Sequence, residues 1–312
     1  MISPVDLALG AAVLLVAGLS LVPRSRLVVT MGFLALGVLV TMVWLRLDSL
    51  DVALAEAGIG TGLLSGLMVW LAVRSPEPPG AGGMEPSPRL PWLRPAVGVV
   101  CGAVLTVVTA AVWLRVEDRL PAWGGPVEEQ LPDTGVEHGI TGVLLAFRAY
   151  DTLLESAILM LTAAAVMALS STNLHQAAAP MPPVPLALPW ATRLLVPALV
   201  LLGLWLLFAG SRDSGGAFQS GAVLAAALIL MRTSHIDLRG LSTYLLRPAL
   251  VVGVVVFILA GLVGPMLGLP WLSWDPDWAF AAVLTVEVLL TTGIAAGLYM
   301  LFLTLENPEG VR

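Results

Sequence analysis

The chain has 312 residues, of which 58% are hydrophobic and 12% charged, and its mean hydropathy is +0.94. About 25% of the residues of a soluble domain are charged, so this composition predicts an integral membrane protein. The net charge of −6 excludes a nucleic-acid-binding protein, which needs a surface rich in basic residues. All 15 cationic residues are arginines. Because lysine is the cation that readily loses its proton when buried, a lysine-based proton relay must come from another chain.

The sequence offers no residues for cofactor or metal chemistry. The lone Cys101 lies in an apolar run, which leaves no disulfide framework and no Cys/His metal cluster. A nucleophile elbow, a phosphate loop, a haem ligand pair and a zinc motif are all missing from the sequence. We therefore predict no cofactor, no metal and no catalysis by this chain itself.

Long apolar segments follow one another along most of the chain. About nine of them reach or approach the roughly 20 residues of a membrane-spanning helix, which predicts an all-α, polytopic transmembrane helix bundle. The first segment is not followed by a small-residue cleavage site, so we interpret it as a retained span rather than a signal peptide. The predicted spans are residues 5–22, 27–47, 52–73, 95–114, 152–170, 192–209, 217–233, 249–268 and 279–303.

Arginines are shared unevenly between the alternate connections. One side collects Arg24, Arg26, Arg74, Arg89, Arg94, Arg193, Arg232, Arg239, Arg247 and Arg312. The other side has Arg46, Arg115, Arg119, Arg148 and Arg212. By the positive-inside rule the richer side is cytoplasmic, which places the N-terminus outside and the C-terminus in the cytoplasm of a cell (inner) membrane protein.

Two connections rich in Pro, Gly and Ala are predicted to be linkers, at residues 76–94 and 173–190. They divide the chain into three blocks, residues 1–75, 95–172 and 191–312. Each block carries its own polar cluster, which suggests modular assembly or the fusion of smaller subunits.

The polar cluster of the first block lies at the start of the third predicted span. Asp48 and Asp51 are three residues apart and share a helix face, and we interpret them as an N-terminal cap that complements the helix dipole. Glu56 lies more than one turn deeper. Gly58 and Gly60 beside it suit close helix packing, so we predict a buried interface around Glu56.

In the second block, Arg148, Asp151 and Glu155 are spaced by three and then four residues, which places them on one helical stripe. Such a triad can hold a proton or can cross-link helices as a structural ion pair, and the sequence leaves both interpretations open. His138 lies in a strongly acidic loop, and we interpret it as a solvated side chain.

In the third block, Gly215 and Gly216 immediately precede a helix and permit backbone geometries that are closed to other residues. A short re-entrant turn and a tight outside hairpin would both use them. Gln219 then enters the membrane in the first helical turn. Arg212 and Asp213 are interpreted as an exposed turn pair.

Glu287 is the one charged residue in the apolar stretch 281–303. An acidic side chain there costs on the order of 2.5–3.5 kcal/mol to insert into a bilayer, so such a residue usually faces a polar pathway or a partner. This carboxylate makes ion transport the first hypothesis for the chain.

These clusters, in this order, resemble parts of the Mrp-type multisubunit cation/proton antiporters and of the related membrane-bound hydrogenases. The run 51–60, Asp-Val-Ala-Leu-Ala-Glu-Ala-Gly-Ile-Gly, resembles a block near the C-terminal end of the antiporter A subunit. The run 147–155, Phe-Arg-Ala-Tyr-Asp-Thr-Leu-Leu-Glu, resembles the block that follows it, although Ala146 replaces the family's aspartate. The run 214–223, Ser-Gly-Gly-Ala-Phe-Gln-Ser-Gly-Ala-Val, is similar to the B subunit, with Ser214 and Ala217 departing from its pattern. The ending, with Glu287 before Gly293, also resembles the close of the B subunit.

The resemblance implies a fused accessory subunit that docks beside larger antiporter-like subunits and supports or lines a path for Na⁺ and H⁺. The candidate ion-path or interface residues are Asp51, Glu56, Arg148, Asp151, Glu155, Gln219 and Glu287. Three alternatives stay open: a membrane-arm subunit of a hydrogenase or another redox-driven pump, a pure scaffold in which the acids only hold helices together, and a standalone transporter.

Overall fold

The computed structural model of the protein describes residues 3–21, 25–74, 93–116, 124–169 and 187–306. Within these ranges all regular structure is helical, as predicted. Three stretches are π-helical, Glu56–Leu64, Val143–Phe147 and Ser242–Leu246, and Leu131–Thr134 is a 3₁₀ turn. The α-helices are α1 Pro4–Ser20, α2 Arg26–Arg46, α3 Leu50–Ala55, α4 Ser65–Arg74, α5 Leu93–Val116, α6 Gly124–Gln130, α7 Gly139–Gly142, α8 Ala149–Leu169, α9 Ala187–Ala209, α10 Ala217–Thr233, α11 Arg239–Leu241, α12 Arg247–Met266 and α13 Ala279–Glu306.

Each predicted span coincides with an apolar helix of the described ranges. Seven helical stretches are long and apolar enough to cross a membrane, which identifies a multi-pass membrane protein. The remaining two, α1 and α10, have 17 residues each and are shorter than the roughly 20 residues that a span needs. The count of nine spans and the orientation of the N-terminus therefore stay predictions.

Two helices begin inside the predicted linkers. α9 begins at Ala187, before the predicted end of the linker at residue 190, and α5 begins at Leu93 rather than at residue 95. Pro189 favours a linker by composition, yet it is the third residue of α9. Proline is tolerated in the first helical turn because the N–H groups there have no intrahelical acceptor.

The first two helices form an antiparallel pair whose ends are tied by polar contacts. Ser3 caps α1, since its hydroxyl accepts from Asp6 N–H at 3.3 Å while Asp6 Oδ2 accepts from Ser3 N–H at 2.8 Å. Asp6 Oδ1 also pairs with Arg46 Nε at 2.9 Å, at the far end of α2. α2 in turn packs against α3, the π-helical stretch Glu56–Leu64 and α4, which run as one continuous helix over residues 50–74.

Helix α13 is the centre of the fold and packs against α8, α10 and α12. Its Tyr299, Met300 and Leu303 are almost fully buried. Gly253 brings α12 close to α13, since a Cβ at this position would lie 2.6 Å from Leu289 O. Two apolar clusters share α13, one around Val286 and Leu290 and the other around Tyr299 and Phe302. The core therefore follows α13 over most of its length.

Candidate functional site

The loop between α9 and α10, residues 210–216, is the polar centre of the fold. It folds back onto the end of α9, where Leu206 O accepts from Gly216 N–H at 2.9 Å and from Gly210 N–H at 3.3 Å. Gly216 has φ +117°, a conformation that other residues rarely adopt. A Cβ at Gly210 would lie 2.8 Å from Gly216 Cα, so the loop closes only with glycine at this position. The loop is a tight turn, which both predicted geometries would use, so the choice between a re-entrant turn and an outside hairpin stays open.

Asp51 at the start of α3 binds this loop. Its Oδ2 accepts from the Ser214 hydroxyl at 3.0 Å and its Oδ1 from Gly215 N–H at 3.2 Å. Gln219 Nε2 donates to the backbone carbonyl of Asp51 at 3.3 Å. The interpretation of Asp51 as a helix cap is therefore wrong: the residue is 7% exposed and its carboxylate binds the loop. Ser49 occupies the N-cap position, and Asp48 lies before it with φ +53°.

The segment around His138 braces the same loop from the other side. His138 Nε2 lies 3.0 Å from Asp51 Oδ2. Ser211 O accepts from Glu137 N–H at 2.9 Å and from His138 N–H at 3.2 Å, and the Thr141 hydroxyl donates to Gly210 O. The expectation of a solvated His138 is thus wrong, because the loop and Asp51 enclose the ring. Arg212 is exposed as predicted, but its partner is Glu137, at 3.8 Å, rather than Asp213.

Glu287 lies beneath the loop and is 2% exposed. Ala217 N–H, at the start of α10, donates to its carboxylate. The loop passes close to the same group, since a Cβ at Gly216 would lie 3.1 Å from Glu287 Oε1. Glu287 Oε2 is buried and has no hydrogen-bond partner among the described residues. Glu287 is therefore a buried carboxylate with one free oxygen among the described residues, and its role in an ion path stays a prediction.

A small cavity of about 30 Å³ opens beside Glu287. It exceeds the roughly 10–15 Å³ that one water needs. Its polar lining comes from two threonines, two glycines of the loop, Gln219 and Glu287, and Leu144, Leu145, Ala217 and Phe218 close it with apolar groups. We call this cavity the Glu287 chamber.

Glu56 lies apart from the chamber, in the π-helical stretch Glu56–Leu64. It is partly exposed, and its carboxylate folds back over Gly60, where a Cβ would lie 2.7 Å from Glu56 Oε1. Gly58 faces α10, since a Cβ there would lie 3.8 Å from Ala222 Cβ. The small residues thus form the predicted helix contact, while the carboxylate of Glu56 lies outside the chamber lining.

Arg148, Asp151 and Glu155 form an exposed stripe in which Asp151 and Glu155 lie in the first two turns of α8 and Arg148 is the turn residue just before it, with φ −126°. Arg148 pairs with Asp151, and their side chains are 71% and 51% exposed. Glu155 is also exposed, two turns into the helix. The predicted helical stripe therefore holds for Asp151 and Glu155 and not for Arg148, which precedes the helix. The two predicted roles were to hold a proton and to cross-link helices. Neither is visible within the described part of the chain, because the three side chains contact no other described helix and face away from the fold.

The ion pair between α10 and α13 was not predicted from the sequence. Arg232 Nε in α10 donates to Glu306 Oε2 in α13 at 3.0 Å, and the two side chains are only 10% and 4% exposed. Arg232 was predicted to be one of the cytoplasmic arginines, and the predicted last span ended at residue 303, before Glu306. In the described residues no group of three or more His, Cys, Asp or Glu side chains is placed to hold a metal ion.

Two family models match the chain. One, described as a domain related to the MnhB subunit of Na⁺/H⁺ antiporter, matches residues 187–305. The other is MbhD, described as a subunit of MBH, and it matches residues 11–77. In chain order, a segment similar to MbhD is thus followed by a region similar to the MnhB-related domain. This confirms the predicted relationship to Mrp-type antiporters and to hydrogenase membrane arms, and it places Asp51 in the first unit and Gln219 and Glu287 in the second.

A solved structure has the same fold. A chain of the "Structure of Mrp complex from Dietzia sp. DQ12-45-1b" is similar with a TM-score of 0.71 and 22% sequence identity, over 99% of this chain and 35% of that chain. The present chain thus spans about a third of the length of that relative. Curated proteins give no match.

The hydrogen bonds from Ser214 and Gly215 to Asp51 therefore join the region similar to the MnhB-related domain to the segment similar to MbhD. His138, which lies between the two matched units in sequence, completes the junction. Of the seven predicted site residues, the structure brings together Asp51, Gln219 and Glu287.

Proposed function

We propose that the chain is a membrane subunit of a multisubunit Na⁺/H⁺ antiporter complex, in which it supports or lines the ion path beside neighbouring subunits. The match to the MnhB-related domain of Na⁺/H⁺ antiporters favours this over the redox-driven alternative. The observation that best supports this proposal is Glu287. It is a buried carboxylate with a free oxygen, and it lies beneath the loop 210–216, where the two matched regions meet. The chain would contribute no enzymatic reaction, and lysine-based proton transfer would reside in its partners, since it has no lysine.

We also propose the three-block organisation, with an outside N-terminus, for this subunit. The loop 210–216 would then lie on the outer side of the membrane, and the Arg232–Glu306 pair on the cytoplasmic side. An ion reaching the Glu287 chamber would come from the outer side.

Replacement of Glu287 by glutamine is expected to lower Na⁺-dependent proton exchange roughly tenfold or more. The reason is that the substitution removes a charged contact worth about 1.5–3 kcal/mol from the proposed ion path. Exchange would be measured in inverted vesicles that contain the intact complex. Thr285→Val is the matched control on the same helix, since Thr285 is exposed and its hydroxyl bonds only to Ala281 O in its own helix. Equal exchange in wild type and Glu287→Gln would remove Glu287 from the path.

The stripe on α8 is proposed to be a contact for a neighbouring subunit. Charged side chains of a membrane helix are rare on lipid-facing surfaces. Glu155 lies about 6 Å further along α8 than Asp151. Ile158 and Leu161, one to two turns further, are 64% and 60% exposed and would continue the contact with apolar side chains.

The double variant Asp151→Ala with Glu155→Ala is expected to weaken the binding of partner subunits roughly tenfold or more, since truncating buried interfacial charges costs about 2–5 kcal/mol. The measurement is the amount of partner subunits that co-purify with the tagged chain. Glu128→Ala with Glu129→Ala removes two exposed carboxylates of α6 and serves as the control. If both double variants retain the partners equally, the stripe is not an interface.

A further inference from the structure

A cavity of about 350 Å³ lies between the start of α9 and the end of α10. This volume falls within the roughly 300–1,000 Å³ of small-molecule sites. Arg193 lines the cavity and lies about 24 Å along α9 from Ala209, where the loop 210–216 begins. We call it the Arg193 cavity. It is therefore separate from the Glu287 chamber, at the other end of the same helix pair.

The Arg193 cavity lies at the level where a membrane-spanning helix meets water. α9 is one of the helices long and apolar enough to cross a membrane. Trp190, in its first turn, is exposed, and tryptophans are enriched at the membrane–water interface. Leu194 and Leu201, further along α9, are also exposed and present an apolar surface to lipid tails. A membrane lipid can therefore approach the cavity with its headgroup at the level of Arg193.

The walls of the Arg193 cavity are mostly apolar. They come from Pro189, Val196 and Pro197 of α9, from Met231 of α10 and from Ile236, which follows α10. Burial of apolar surface against such walls is favourable for hydrocarbon and not for a polar solute. The walls therefore suit an acyl chain.

Arg193 is the one charged side chain among the described residues that line the cavity. It is exposed and takes part in none of the ion pairs of the described residues. The two hydroxyls of the lining are already engaged: Thr192 donates to Leu188 O at 2.8 Å and also contacts the Ser234 hydroxyl. Since a hydroxyl has one proton, Ser234 is the donor in that contact. The guanidinium, whose N–H groups match the geometry of a phosphate, is left to bind an anion.

Pro197 leaves a hydrogen-bond acceptor next to this cation. Proline has no N–H, so Arg193 O, four residues before it, lacks the donor that it would have in a regular helix. Both residues line the cavity. A hydroxyl of a lipid headgroup can therefore donate to Arg193 O while the phosphate binds the guanidinium.

We infer that the Arg193 cavity binds one anionic phospholipid with a hydroxyl-bearing headgroup, whose phosphate pairs with Arg193 and whose acyl chain lies against the apolar walls. The described lining contains no carboxylate, so the amine of a zwitterionic headgroup finds no partner there. In the proposed orientation this end of α9 faces the cytoplasm, where the leaflet carries anionic lipids and basic pockets between helices bind their headgroups. The inference stands whether or not Glu287 takes part in exchange.

The test is native mass spectrometry of the purified intact complex, with phosphatidylglycerol or phosphatidylcholine of the same acyl chains added. Arg193→Gln is expected to weaken the binding of one phosphatidylglycerol roughly tenfold or more, since a charged contact to the phosphate is lost. Phosphatidylcholine should bind weakly and equally to both proteins. Arg247→Gln, which removes an exposed arginine at the start of α12 on the same proposed side, is the matched control and should bind phosphatidylglycerol like the wild type.

Equal phosphatidylglycerol affinity of the wild type and Arg193→Gln would overturn the inference. Val196→Trp, which fills the cavity, should displace the lipid, and a retained lipid in this variant would overturn the inference even if Arg193→Gln fails to assemble. Phosphatidylcholine that binds the wild type as tightly as phosphatidylglycerol would contradict the anionic specificity. Loss of partner subunits from Arg193→Gln with unchanged lipid binding would show that a neighbouring subunit occupies the cavity instead.

Discussion

Replacing Asp51 with alanine is expected to lower the free energy of unfolding by about 3 kcal/mol, because three donors lose a carboxylate acceptor. These donors are the Ser214 hydroxyl, Gly215 N–H and the ring of His138. Asp51 is 7% exposed, so water cannot readily replace it. Unfolding by SDS titration in mixed micelles measures the loss. Exchange should fall as well, since the same contacts hold the loop above Glu287.

Asp48→Asn is the control for Asp51. Asp48 is exposed and has φ +53°, a conformation that asparagine also tolerates, so this variant loses a charge but keeps the backbone. We expect its free energy of unfolding to match the wild type. Equal stability of Asp51→Ala and Asp48→Asn would mean that the contacts between Asp51 and the loop contribute nothing to the fold.

The helices could be predicted because the signal for each one lies within its own segment. About 20 apolar residues in succession specify a span wherever the rest of the chain lies. The same reasoning located Glu287, since a lone carboxylate in such a run stands out. Gly215 and Gly216 were likewise visible as the start of α10, because glycines before an apolar run mark a turn.

The partners of the polar residues could not be predicted, since they are distant in sequence. Asp51 contacts Ser214, 163 residues away, and His138, 87 residues away. The spacing of residues along the chain cannot predict such distant contacts. Asp51 was therefore interpreted as a cap of the helix in which it lies. The resemblance of the motifs to known families did place Asp51 and Gln219 together among the candidate ion-path or interface residues. It could not distinguish these two residues, which hydrogen-bond to each other in the structure, from Glu56 and Glu155, which lie apart from them.

Breaking the Arg232–Glu306 pair from either side is expected to lower the free energy of unfolding by about 3–5 kcal/mol, because the remaining charge is left buried without a partner. Arg232→Leu and Glu306→Leu are the two single variants. Tyr299, with no exposed surface, packs nearby, and Arg232 Nη2 is already without a hydrogen-bond partner among the described residues.

The double variant, Arg232→Leu with Glu306→Leu, distinguishes pairing from packing. Two apolar side chains in place of a buried ion pair are often neutral for stability, so the double variant should recover most of the loss of either single variant. Arg193→Leu, which removes an exposed arginine of α9, is the control. If the losses of the two single variants simply add in the double variant, the charges do not act as a pair.

Neutralising Glu306 and neutralising Glu287 should change the stability in opposite ways. Both are buried carboxylates of α13, about 28 Å apart along the helix. Glu306 has an arginine partner, so its neutralisation should lower stability through the unpaired Arg232. Glu287 has no such partner in the described ranges, and an amide in its place relieves a desolvated charge. Glu287→Gln should therefore be as stable as the wild type or more stable, while exchange is lost. A carboxylate whose removal preserves the fold and abolishes transport has a functional rather than a structural role, and the same SDS titrations decide this for both residues.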